Sequence, residues 1–250
     1  MGWLAVTFFV TAALYASVGF GGGSTYTALL TLAGVDFRIL PAISLVCNII
    51  VVIGGTLRFA QAGEVQWRRV LPLVAVSAPL AFLGGLTPIK QQTFMIVLAL
   101  SLMVAGLLLL FQRSRHAQSI PLRSAANSFD VLAGAATGYL AGLVGIGGGI
   151  FLAPILHLTR WGSPRSIAAT ASVFILFNSV FGLAGQVIKL GTGQSVSAIG
   201  NYWLLGLAVL IGGQIGSFAS VKLLSQALVR RGTALLILYV AVQLLWRQMG

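Results

Sequence analysis

The sequence predicts an all-α polytopic membrane protein built from two inverted repeats, each a glycine-broken helical hairpin followed by three transmembrane helices. Three observations carry that prediction. Hydrophobic residues make up 58% of the 250, charged residues only 7%, and the mean hydropathy is +1.01; a soluble domain carries about a quarter charged residues. The run Gly19-Phe20-Gly21-Gly22-Gly23 returns 126 positions later as Gly145-Ile146-Gly147-Gly148-Gly149. The basic residues, finally, are shared unequally between the two sides of a membrane only if each glycine run reverses the chain.

Taken in order, apolar segments cover 2–18, 24–35, 39–57, 70–89, 93–112, 131–146, 148–159, 166–188, 196–221 and 229–248. Residues 2–18 lack a basic leader and have a counterpart inside the second half, so a retained span is expected rather than a signal peptide. Segments 24–35 and 148–159 follow the two glycine runs. Twelve residues reach roughly 18 Å at 1.5 Å each, against a hydrocarbon core about 30 Å thick, so these are half-helices. The longer segments suffice to cross. The last is marginal, because Arg230 and Arg231 intrude on its start.

The most polar stretch divides the chain into a first repeat over 1–112, a central cytoplasmic linker over 113–130 and a second repeat over 131–250. The repeat extends beyond glycine. Asn48 and Asn178 stand 130 apart, as do Gly55 and Gly185, and the pairs Gly84/Gly216 and Lys90/Lys222 are 132 apart. An ordered set of this kind marks an internal repeat.

Charge decides how the halves are related. If each glycine run is only a kink, eight basic residues fall on one side and seven on the other. If each is the tip of a hairpin, the numbers are eleven and four. Cytoplasmic loops are enriched in Lys and Arg, so the hairpin arrangement is preferred, with inverted halves and both termini outside. The formal net charge of +12 then reflects topology and contact with anionic lipid, and nucleic acid is not an expected partner.

A helix broken by glycine leaves N–H groups without carbonyl partners at the start of its second half. That end carries a partial positive charge, and the missing side chains let a ligand reach the backbone. Gly21, Gly22, Gly23, Gly147, Gly148 and Gly149 are therefore the candidate substrate-binding backbone. Ser24 and Thr25 add hydroxyls after the first run. Asn48 and Asn178 are symmetric amides that either donate to an anion or bond across helices; Gln186, Gln214 and Ser172 are weaker candidates. The pairs Gly54-Gly55, Gly84-Gly85 and Gly212-Gly213 read as packing or hinge positions.

The three acids, Asp36, Glu64 and Asp130, all lie at span ends or in loops. With no carboxylate in mid-membrane, an anion meets no negative centre on its path. His116, His157 and the lone Cys47 do not make a metal site. Neither a catalytic constellation nor a cofactor is expected, and no Gly-Lys-Ser/Thr follows either run to make a phosphate-binding loop.

Val18-Gly-Phe-Gly-Gly-Gly-Ser24 and Val144-Gly-Ile-Gly-Gly-Gly-Ile-Phe-Leu-Ala-Pro154 resemble the twin signatures of the TauE/SafE (sulfite exporter) permeases. The likeness covers essentially the whole chain. The first signature departs from the second, with Ala28 where a proline would align. The resemblance implies movement of sulfite, a short sulfonate or a related small sulfur oxyanion across the bacterial cytoplasmic (inner) membrane. A secondary transporter working by alternating access is the expected function, with a homodimer compatible with it. A passive anion channel and a non-transporting scaffold are the alternatives.

Overall fold

The computed structural model describes residues 2–17, 19–111, 128–159, 161–191, 197, 200–218 and 226–249. The described residues include ten helices and no strand. They are α1 (Gly2–Ser17), α2 (Gly23–Leu32), α3 (Leu40–Gln61), α4 (Trp67–Leu86), α5 (Gln91–Phe111), α6 (Ser128–Val144), α7 (Gly149–Leu158), α8 (Pro164–Leu190), α9 (Trp203–Phe218) and α10 (Gln226–Met249). Linker positions 113–127, and with them Arg113, Arg115 and Arg123, lie outside the described residues, as do Arg160 and Lys222.

Among the described residues four helices, α3, α4, α5 and α8, are long and apolar enough to cross a membrane, and shorter apolar stretches lie in α1, α6, α9 and α10. The outer surface is apolar. On α5 the residues Ile96, Leu100, Val104 and Leu107 are exposed at helical spacing, while Phe94, Leu98, Leu102 and Ala105 face inward. A soluble protein hides such a stripe, and a membrane-spanning helix presents one outward.

Several ends differ from the apolar segments for physical reasons. α3 runs on past Arg58 to Gln61, because Arg58 turns back to donate to Gln214 Oε1 on α9 at 2.9 Å. α4 starts at Trp67, three residues before its apolar run, because Arg69 folds inward: its Nη1 donates to Trp161 O (2.6 Å) and Gln66 Oε1 (2.7 Å), and its guanidinium stacks 4.1 Å from the Trp161 ring. α4 stops at Leu86 because Thr87, held extended at ψ 116°, precedes Pro88. α10 begins at Gln226 and carries Arg230 and Arg231 within the helix rather than ahead of it. Asp130 lies in the first turn of α6, as its place at a span end suggests, yet it is buried, within electrostatic reach of Arg69.

The packing pattern survives exchange of the halves. α1 against α9 corresponds to α6 against α4, and α3 against α9 to α8 against α4; α3–α8 and α5–α10 map onto themselves. Close approach at these contacts depends on glycine. A Cβ on Gly212 or Gly216 would strike the carbonyls of Phe9 or Ala13, and one on Gly138 or Gly142 those of Ser77 or Ala81. Small residues four apart let membrane helices pack backbone to backbone.

The same contacts give strand-like directions to the long helices. Leu45 meets Gly182 and Gly55 lies against Ser172, so α3 and α8 run antiparallel. Ile50 meets Gly206 and Arg58 meets Gln214, so α3 and α9 run parallel. α3 and α8, the long helices that follow the two glycine runs, thus point in opposite directions.

Candidate functional site

α2 and α7 are ten residues each, roughly 15 Å long. Both begin at matched glycines: Gly22 (φ +85°) and Gly148 (φ +78°) are the N-caps, in the left-handed region that costs an L-residue about 1–2 kcal/mol. Ala28 in place of Pro154 does not shift the start. Neither helix has a side-chain cap. α3 and α4 also start without one, whereas on α8 Ser163 Oγ accepts from Ser166 N at 3.1 Å. On α2 and α7 the first backbone bonds back are Thr25 and Tyr26 to Gly22 O, and Phe151 and Leu152 to Gly148 O, all 3.0–3.1 Å. The N–H groups ahead of them are uncapped and buried.

The two runs meet. A Cβ on Gly23 would lie 2.5 Å from Ile146 O, so the first tip touches the second across the boundary of the halves. Asn48, on α3, sits at that junction. Its amide is against Gly21, Gly23 and Gly147 at once. Both of its polar atoms are buried, and neither has a hydrogen-bond partner among the described residues. An unpaired buried polar group costs about 1–3 kcal/mol, so this side chain awaits a partner.

The remaining predicted residues divide. Gly22 lies against Tyr26 and Thr11, and Gly148 and Gly149 against Phe174 and Ile175 of α8. Ser24 is buried in the first turn of α2. Thr25 shares a 2.8 Å hydrogen bond with Tyr15 OH on α1, which engages its hydroxyl within the first hairpin. Asn178 donates to Phe174 O of its own helix at 2.8 Å and keeps Oδ1 buried without a partner among the described residues. Gln186 donates to Gly142 O (2.8 Å), and Gln214 accepts from Arg58, so both serve packing. His157 is exposed on α7.

Sequence reasoning missed a pair of latches. Ser44 on α3 donates to Gly145 O at 2.7 Å, and Ser172 on α8 donates to Gly19 O at 2.5 Å. Gly19 and Gly145 are the matched first glycines, so each long helix holds the loop of the opposite half. Thr27 adds a bond to Gly23 O at 2.8 Å and lies 3.0 Å from Ser44 Oγ. The only signal for this in the sequence is the near-repeat spacing of Ser44 and Ser172, 128 positions apart.

Paired broken helices buried in a bundle of membrane-length helices define a multi-pass membrane protein of the permease type. The profile of the family described as "Sulfite exporter TauE/SafE" matches residues 4–244, and the chain belongs to that family. It is 32% identical to a probable membrane transporter protein of Sinorhizobium fredii, over 97% of each chain. It is 26% identical to a probable membrane transporter protein of Methanocaldococcus jannaschii, over 72% of this chain and 70% of that one. A further probable membrane transporter protein, from Xylella fastidiosa, is 27% identical over 75% and 72%. No solved structure matches the chain.

Proposed function

We propose that the protein is a secondary transporter that carries a small sulfur-containing oxyanion, sulfite or a short sulfonate, across the bacterial inner membrane by alternating access, without catalysing a chemical step. The observation that carries this reading is the junction of two uncapped, buried helix N-termini at an unpartnered amide, Asn48. Such an arrangement offers donors and no negative charge. One helix end contributes about 0.3–2 kcal/mol to an anion, much less than desolvation of that anion costs. Two ends and several side-chain donors acting together, or retained hydration, are therefore needed. Lipid surrounds the bundle on this reading.

The halves are inverted repeats, and both termini lie outside. The antiparallel crossing of α3 and α8 supports the first statement. The distribution of eleven basic residues against four supports the second. Reconstituted vesicles loaded to impose a proton or sodium gradient should accumulate radiolabelled sulfite or a short sulfonate above the external concentration. Flux that only ever runs down the anion's own gradient would identify a channel. No flux of any sulfur oxyanion would end the reading.

A further inference from the structure

The junction contains a second unpartnered group from the opposite half. Ser179 lies on α8, is fully buried, and its Oγ has no hydrogen-bond partner among the described residues. A Cβ on Gly147 would lie 3.3 Å from that oxygen and 2.6 Å from Asn48 Nδ2. One glycine of the second tip is thus flanked by a donor from α3 and a donor from α8. Of the other buried hydroxyls near the runs, Ser44, Ser172 and Thr27 are engaged on backbone carbonyls and Thr25 on Tyr15, whereas Tyr26 OH, 3.1 Å from a Cβ on Gly22 at the first tip, is also buried without a partner among the described residues.

Resting on the transporter reading above, we infer that Ser179 is a substrate-contacting residue which, with Asn48, closes the anion between the two halves beside Gly147. Position 179 answers to Ile49 at the 130-residue offset of the asparagines, so this donor exists in the second half alone. A ligand bridging Asn48 and Ser179 ties α3 to α8, a pair of long helices that matches itself under exchange of the halves. Occupancy of the site and the relative position of the halves are then linked, because the two donors converge only while the helices keep this crossing.

The test compares wild type, Ser179→Ala, Ser179→Cys and Ser77→Ala as purified proteins, titrated with sulfite and with a short sulfonate. Ser77 is a fully buried, unpartnered hydroxyl on α4 outside the junction, and it serves as the matched control. Thermal stabilisation and dissociation constant are read together. Loss of one charge-assisted donor should weaken binding roughly tenfold in Ser179→Ala, less in Ser179→Cys, and not in Ser77→Ala. Equal affinity in wild type and both Ser179 variants, or an equal loss in Ser77→Ala, overturns the inference and leaves the transporter reading standing. Absence of binding in wild type itself removes the transporter reading, and this inference falls with it.

Discussion

The two half-helices share a backbone and differ in side chains. α2 opens Gly23-Ser-Thr-Tyr-Thr and α7 opens Gly149-Ile-Phe-Leu-Ala-Pro. Each starts at a left-handed glycine, each is ten residues long, and each is latched by a serine from the other half. Around α2 hydroxyls dominate: Thr25 bonds Tyr15, Thr27 bonds Gly23 O, and Tyr26 stacks on Phe8 at 4.6 Å between ring centroids. Around α7 the wall is Phe174 and Ile175, with polarity brought in by Asn48 from the first half and Ser179 from α8. The repeat therefore keeps the placement of main-chain donors, while the side chains around the two tips differ: Tyr26 OH stands unpartnered beside the first, Ser179 beside the second, and Asn48 between them.

That contrast orders the expected effects. The largest should come from the matched glycines. Gly22→Val or Gly148→Val places a β-branched residue at positive φ and against Tyr26 or Phe174, costing about 2–5 kcal/mol of strain and overpacking. Near-complete loss of sulfite uptake with normal membrane insertion is expected for each; unchanged uptake in both would dissociate the tips from function. Next come the asparagines, which separate symmetry from chemistry. Asn48→Ala should weaken anion affinity by one to two orders of magnitude, at about 1.4 kcal/mol per tenfold, whereas Asn178→Ala should do much less because its amide already serves Phe174 O. Equal losses, measured by titration, would make the site symmetric.

Smaller effects belong to the latches. Ser44→Ala and Ser172→Ala each remove a buried hydrogen bond worth about 1 kcal/mol and leave a carbonyl under-satisfied. Each should lower the melting temperature by a few degrees, and the double variant by about the sum if the latches act independently. The smallest effect is expected for Thr25→Val, which loses its bond to Tyr15; stability should fall by about 0.5–1.5 kcal/mol with anion affinity unchanged. A tenfold affinity loss in that variant would move the ligand towards α2.

Much of this was legible in the sequence. Glycine is the residue that both breaks a helix and admits positive φ, so the two runs announced the tips. Apolar length separated the half-helices from the spans, and the asparagine spacing gave the repeat. What was hidden depends on crossings. A serine in an apolar helix reads alike whether it bonds its own turn or another chain segment, so Ser44, Ser172 and Ser179 could not be sorted until α3 and α8 were seen to cross. Asn48 and Asn178 look equivalent by offset, and only packing shows that one lies between the tips while the other bonds its own helix. Arg69 reads as a loop charge, yet Trp161, 92 positions away, offers it a ring and a carbonyl.

The account's central physical claim is that bare amides at both tips hold the anion. Hydrogen exchange of the purified protein with and without saturating sulfite addresses it residue by residue. Slowed exchange is expected at Gly22–Ser24 and at Gly147–Ile150. Exchange at both stretches that sulfite leaves untouched, while it stabilises the protein elsewhere, would contradict the account.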